Sequence, residues 1–193
     1  MGQVSAAHQS GSPEIAPTGT PTLLIGSCEA FSGKSALILG LARQLLQRGH
    51  TVRFGKPLAA DASLADEAAD DLLDDDVRFV GRILGLADGQ LIPAVHRHAP
   101  ARSRQRLLAA DLQAGAGLEA LRQQLTAAPD GLTLLEAPGS LSEGLLYGLS
   151  LVQLARGLQA PVVLVHPWSD CDSIDPLLQA REQLGDLLAG VVL

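Results

Sequence analysis

Residues 25–49 read IGSCEAFSGKSALILGLARQLLQRG and join a short apolar segment to an amphipathic helix pattern through a glycine-bearing loop. The loop ends in Gly33, Lys34 and Ser35, the order in which a phosphate-binding loop opens its helix. The usual spacing G-x-x-x-x-G-K-S requires a glycine at position 28, where this chain has Cys28. We expect Gly26 to act as the leading glycine of a lengthened loop.

A loop between a buried strand and a helix directs backbone N–H groups and the positive end of the helix at an anion. Gly33 allows close approach, Lys34 would span the β- and γ-phosphates, and the hydroxyl of Ser35 would coordinate Mg²⁺. The predicted phosphate-binding residues are Gly26, Ser32, Gly33, Lys34, Ser35 and Gly139.

Polar side chains also follow two later strand patterns. Glu136 ends LTLLE, where a carboxylate can hold magnesium, and three residues on Gly139 can present its N–H to a γ-phosphate. Lys56 ends the second strand and, with Lys34, is one of only two lysines among fourteen basic residues. Asp76, at a helix start, is a third candidate magnesium ligand beside Ser35 and Glu136. Lys34 and Lys56 are the predicted catalytic residues.

The composition restricts the classes of function. A chain of 193 residues with 47% hydrophobic residues can bury one core. A net charge of -7 argues against a broad nucleic-acid or anionic-membrane surface, and no apolar run is long enough to span a bilayer. The first 33 residues contain no Lys or Arg, as a targeting peptide would require, so we expect a cytoplasmic protein.

Strand and helix patterns alternate after a Ser-, Gly- and Pro-rich stretch at 1–20, which we interpret as a flexible tail. We expect a domain over 21–193 with the α/β fold of a P-loop NTPase, a doubly wound, mostly parallel sheet in a three-layer sandwich. The predicted strands cover residues 22–26, 51–55, 132–136, 161–165 and 189–193. The predicted helices cover residues 35–48, 77–86, 103–113, 118–127, 150–158 and 173–184.

Three local patterns leave alternatives open. The run His96, Arg97 and His98 has no acidic or cysteine companion nearby, which favours a solvated loop over a metal site. Cys28 is either a small loop residue, the favoured interpretation, or a reactive thiol whose pKa the helix N-terminus lowers. The apolar ending GDLLAGVVL predicts a domain truncated at its C-terminus, as part of a longer polypeptide or after loss of a partner segment.

Six segments together resemble a known family: LLIGSCEAFSGKSALILGLARQL, FGKPL, DDDVRFVGRIL, LLEAPGSLSEG, APVVLV and LLAGVVL. From Thr22 onward the chain resembles the dethiobiotin-synthetase-like P-loop domain, most closely the version at the N-terminus of some bacterial phosphotransacetylase-family proteins and in stand-alone relatives. This resemblance implies Mg-ATP and carbamate binding and a homodimer. The implied roles fall on Lys34, Ser35, Lys56, Asp76 and Glu136.

The resemblance leaves two functions open. Where the enzyme that names the family contacts its diamine substrate, this chain has a loop longer by one residue with Ser27, Cys28 and Glu29. That difference favours a sensing or regulatory module that binds Mg-ATP or another nucleotide. The alternative is an ATP-dependent carboligase that forms a cyclic urea, and a slow ATPase would also be compatible with the motifs. A scaffold with an inactive site is a third interpretation.

Overall fold

The computed structural model describes residues 21–60, 73–98, 104–105, 107–110, 115–126, 131–170 and 173–193. The predicted tail, most of the acidic segment before Asp76 and residues 103, 106 and 111–113 of the predicted helix at 103–113 lie outside the described residues. Within the described ranges, none of the helices combines the length and apolar character needed to cross a bilayer.

The described elements alternate between strand and helix over most of the chain. In chain order the strands are β1 Thr22–Ser27, β2 Val52–Gly55, β3 Leu58–Ala60, β4 Leu91–Ile92, β5 His96–His98, β6 Leu132–Glu136, β7 Val162–Val165 and β8 Leu188–Val192. The α-helices are α1 Lys34–Gln47, α2 Asp75–Leu84, α3 Gly117–Thr126, α4 Leu151–Leu158 and α5 Ile174–Leu184.

Six strands form one parallel sheet in the order β4-β2-β6-β1-β7-β8. Parallel neighbours require crossover connections, which the helices supply. The order places β1 and β6 in the middle of the sheet, so the loops that follow them meet at its carboxyl edge. This is the P-loop NTPase-like α/β fold that the alternating pattern predicts.

Alternate residues of the central strands pack on opposite faces of the sheet. On one face the buried cluster contains Ile38 and Ala42 of α1 together with Val77 and Val80 of α2. On the other face it contains residues of α3, α4 and α5, among them Leu121, Leu154 and Leu184. Both faces are therefore covered by helices, as the predicted three-layer sandwich requires.

Five sheet strands were predicted, and each lies within one or two residues of its predicted position. β3, β4 and β5 were not predicted, because each is only two or three residues long and shows no periodicity. The interpretation of 96–98 as a solvated loop was wrong. These residues form β5, which pairs in parallel with β3, so the ordering of this segment comes from a partner about forty residues away.

Helix α2 begins at a side-chain cap that also shapes the candidate site. The Asp74 carboxylate accepts a hydrogen bond from the backbone N–H of Asp76 at 2.9 Å, satisfying one donor that the helix leaves unpaired. At the other end Gly85 adopts a left-handed conformation with φ 67°, as helix C-caps commonly do. The cap holds Asp74 and Asp76 at the sheet's carboxyl edge.

The central strand should dominate the stability of the domain. Leu134 in β6 is 0% exposed, and β6 is bonded on both sides, to β1 and β2. Leu134→Ala should lower the free energy of unfolding by about 2–5 kcal/mol, because it leaves a cavity between sheet and helices. Leu178→Ala on α5, where Leu178 is 61% exposed, should change it by less than about 0.5 kcal/mol. Urea denaturation of both variants checks this, and similar losses would contradict the core assignment.

Candidate phosphate and magnesium site

The strand register brings the predicted site residues to one edge of the sheet. Ile25 of β1 pairs with Glu136 of β6, and Gly55 of β2 pairs with Leu135 of β6. The three strands therefore end side by side, and the loop after β1, Lys56 after β2 and the loop after β6 follow directly. Ligands of open α/β sheets bind at this edge.

Lys34 is the first residue of α1 and is only 7% exposed. Its Nζ donates a hydrogen bond to the Ser27 hydroxyl at 3.0 Å. Burial lowers the pKa of Lys34, an effect that Glu136 opposes, Lys56 reinforces and Glu143 opposes. A compact ammonium held at the mouth of a phosphate loop has the position and charge to meet an anionic oxygen.

Ser35 and Glu136 form the predicted magnesium-binding pair in direct contact. The Ser35 hydroxyl donates to Glu136 Oε2 at 3.1 Å, across the β1–β6 junction. Burial raises the pKa of Glu136, although Lys56 and Lys34 and the Ser35 hydrogen bond favour its ionised form. Two hard oxygen donors at one point are the ligands that Mg²⁺ prefers.

Lys56 joins the same edge through the start of α2. Its Nζ lies 2.7 Å from Asp76 Oδ2 and 3.2 Å from Asp74 Oδ1. Burial by itself would lower the pKa of Lys56, but the hydrogen bond to Asp76 and the charges of Glu136 and Asp74 raise it above its ordinary value. The structure therefore places Lys56, Asp76 and Glu136 in one electrostatically coupled group.

Gly33 and Gly26 are glycines for different structural reasons. Gly33 is the N-cap of α1 with φ 96°, a conformation that side chains rarely adopt, so glycine is required there. Gly26 lies within β1 rather than in the loop, and a Cβ at that position would overlap the side chain of Leu151 in α4. Its predicted phosphate contact stays a prediction, whereas its packing against α4 is observed.

Two buried polar side chains at this edge lack partners among the residues that the structure describes. They are Ser32, whose Oγ is buried, and His166, which follows β7, is 4% exposed and has both ring nitrogens unbonded. A buried polar group without a partner costs about 1–3 kcal/mol. The Ser32 hydroxyl, beside Gly33 and Lys34, fits a phosphate oxygen as its partner. The donor set of this loop thus fits a magnesium–phosphate group.

Three contacts at the site were not predicted from the sequence. Ser27 accepts from Lys34, Asp74 shares Lys56 with Asp76, and the carboxylate of Glu143 accepts a hydrogen bond from the Gly139 N–H at 3.0 Å. The S-x-x-E pattern at 140–143 matches a capping box, which predicts the hydrogen bond from the Glu143 N–H to Ser140 Oγ but not the one from the Gly139 N–H to the Glu143 carboxylate. All three contacts depend on the fold.

Cys28 behaves as a packing residue and not as an activated thiol. Burial raises the pKa of Cys28, and the charge of Glu29 raises it further. Its Sγ donates to the carbonyl oxygen of Pro176 in α5 at 3.5 Å. Both effects oppose thiolate formation, so the alternative of a helix-activated thiol is not supported.

Solved structures of FtsY proteins are similar to this chain at low sequence identity. A solved structure of chloroplast FtsY from Physcomitrella patens is similar, with 16% identity, a TM-score of 0.49, and coverage of 89% of this chain and 48% of that chain. FtsY from Elizabethkingia anophelis shares 16% identity with a TM-score of 0.47 over 85% of this chain and 47% of its own. The cell division protein ftsY from Thermotoga maritima shares 14% identity with a TM-score of 0.45, over 91% and 53%.

This chain spans about half the length of those solved structures. A family model described as AAA domain matches residues 21–193. That range contains the phosphate loop, Lys56 and the strand end at Glu136. The chain accordingly belongs to the AAA domain family of P-loop nucleotide-binding domains.

Proposed function

We propose that this chain binds a magnesium–nucleoside triphosphate at the carboxyl edge of β1, β6 and β2, as a sensing or regulatory module of the phosphotransacetylase N-terminal type. The observation that carries the proposal is the Ser35–Glu136 hydrogen bond at 3.1 Å beside the buried Lys34. It joins the phosphate loop to the strand-end carboxylate at one point, as magnesium–phosphate binding needs.

Each residue has a definable role in such binding. Ser35 and Glu136 would hold Mg²⁺ directly or through water, with Asp76 as a further oxygen donor from α2. Held by these residues, the ion would neutralise part of the phosphate charge. Lys34 would exchange its hydrogen bond with Ser27 for one with a phosphate oxygen. The Ser32 hydroxyl and the Gly33 N–H would meet the same phosphate chain.

The side chains of Ser27, which ends β1, and of Cys28, which follows it, support a binding module over a carboligase. Ser27 is 0% exposed and is engaged by Lys34, and Cys28 is directed towards α5 through its contact with Pro176. These positions correspond by resemblance to the diamine-facing part of the loop, and their side chains are engaged in internal contacts. We infer a homodimer from the same resemblance.

The deciding experiment combines calorimetric titration with a turnover assay. ATP, GTP and inorganic triphosphate are titrated with and without Mg²⁺, and ATP hydrolysis is followed with and without an added diamine and bicarbonate. Magnesium-dependent binding with negligible turnover supports the module. Turnover that the diamine accelerates would favour the carboligase, and no binding of any triphosphate would contradict the site altogether.

Lys34 should contribute most to anion affinity. Lys34→Ala is expected to weaken triphosphate binding by about 2–3 kcal/mol, roughly 30- to 150-fold, because it removes a hydrogen bond to a charged group. Arg43→Ala is the matched control, since it removes an exposed positive charge from the same helix. Calorimetry measures both, and equal affinity in a folded Lys34→Ala protein would rule out this loop as the phosphate site.

Lys56→Arg tests whether a compact charge is needed between α2 and the phosphate edge. Lys56 is 12% exposed and fits between two carboxylates at 2.7 and 3.2 Å, where the larger planar guanidinium must displace one of them. We expect about tenfold weaker triphosphate binding, or about 1.4 kcal/mol, with the charge unchanged. Titration of the variant measures this, and unchanged affinity would assign Lys56 a structural role only.

Glu136→Gln should raise the stability of the fold while weakening ligand binding. Because the folded-state pKa of Glu136 lies above its unfolded value, the protonated form favours folding, and that contribution is lost as pH rises through the folded pKa. The variant should therefore be more stable than wild type at pH 7, with the difference vanishing below about pH 4.3. Urea unfolding against pH measures it. Magnesium-dependent binding should weaken at the same time, and a less stable variant at pH 7 would contradict the burial argument.

A further inference from the structure

Glu143 places a second carboxylate at the phosphate edge. It lies in the loop after β6, is partly buried, and its Oε2 accepts a hydrogen bond from the Gly139 N–H at 3.0 Å. Its own backbone N–H donates to Ser140 Oγ at 3.1 Å. The side chain and backbone of Glu143 are thus both tied to the loop, which gives the carboxylate a defined position.

That position adjoins the phosphate loop. A Cβ built on Gly139 would lie 2.8 Å from Glu143 Oε2 and 3.4 Å from the Cβ of Ala30, so the loops after β1 and β6 are packed together there. The Gly139 carbonyl oxygen also lies 3.2 Å from the hydroxyl of Ser27, the partner of Lys34. The charge of Glu143 also offsets a small part of the effect of burial, which lowers the pKa of Lys34.

A carboxylate and a terminal phosphate compete for the same partners. Both are anionic acceptors that form charge-assisted hydrogen bonds with backbone N–H groups and lysine. The Gly139 N–H has a single proton, and Glu143 already accepts it. A γ-phosphate that uses this N–H must therefore displace Glu143, and like charges held close together repel each other. A diphosphate ends one phosphoryl group earlier and makes no such demand.

We propose that Glu143 is a specificity-determining residue that lowers the affinity of this site for triphosphates relative to diphosphates by occupying the γ-phosphate's hydrogen-bond donor. The inference rests on the proposed function, since it takes the loops after β1 and β6 as the phosphate site. Triphosphate binding then requires the Glu143 side chain to leave Gly139. Binding of a triphosphate therefore moves the loop that precedes α4, whereas binding of a diphosphate does not.

The test measures ATP and ADP affinities, each with Mg²⁺, for wild type and two variants. Glu143→Ala removes the charge and the acceptor, whereas Glu143→Gln removes the charge but keeps an amide oxygen that can still accept from Gly139. Glu182→Gln, at an exposed position of α5, is the control for the change in net charge. Melting temperatures of the unliganded proteins are recorded alongside.

We expect Glu143→Ala to bind ATP about tenfold more tightly than wild type, equivalent to about 1.4 kcal/mol, with ADP affinity nearly unchanged. The ATP affinity of Glu143→Gln should lie between those of wild type and Glu143→Ala, and the ATP affinity of Glu182→Gln should match that of wild type. The change in the ATP-to-ADP affinity ratio is the decisive quantity. If the role of Glu143 were purely structural, its loss would weaken the binding of both nucleotides and lower the melting temperature.

The other outcomes separate this inference from the proposed function. Equal ATP-to-ADP ratios in all four proteins would overturn the role of Glu143 and leave the phosphate site standing. Weaker ATP binding in Glu143→Ala with unchanged ADP binding would also overturn it, by showing that the carboxylate assists the triphosphate or its metal ion. Failure of every protein to bind either nucleotide would overturn the proposed function and this inference with it.

Discussion

Ile25 of β1 lies beside Glu136 of β6 in a parallel register, and the chemistry of the carboxyl edge depends on this pairing. A shift of one residue would turn the Glu136 side chain to the opposite face of the sheet. The register is held by apolar residues on both faces of β6, including Leu134 and Leu135. Packing forces in the core therefore set the distance between Ser35 and Glu136.

The edge keeps a group of opposite charges partly removed from water. Lys34 and Glu136 are each 7% exposed, and burial works against the charged form of both. Lys56 differs, because the hydrogen bond to Asp76 and the charges of Glu136 and Asp74 more than compensate for its burial and raise its pKa. Functional sites commonly hold such perturbed groups at some expense of stability. In the absence of ligand these side chains pair with one another. A bound magnesium–phosphate group would supply phosphate oxygens for the lysines and a cation for the carboxylates.

Much of this fold could be predicted because many of its elements are specified by contiguous residues. The apolar run of β1, the helical periodicity of α1 and the left-handed glycine at Gly33 can each be read within a few residues. β3 and β5 could not be predicted, since two three-residue segments gain their order only by pairing with each other. The same limitation explains the misinterpretation of 96–98. An acid such as Asp74 likewise becomes a partner of Lys56 only when α2 is positioned against β2.

The sequence by itself determined the phosphate loop, the α/β class and the residue types that meet at the carboxyl edge, because loop order and hydrophobic periodicity are properties of contiguous residues. Only the tertiary structure decided what these side chains touch. It assigned Lys34 to Ser27, Ser35 to Glu136 and the Gly139 N–H to Glu143. The first and third contacts join residues that are seven and four positions apart. These contacts lie at one site because β1 and β6, more than one hundred positions apart in the chain, pair side by side. Hydrogen-bond partners are set by distance in space, which the parallel register and the packed core establish and which sequence separation does not encode.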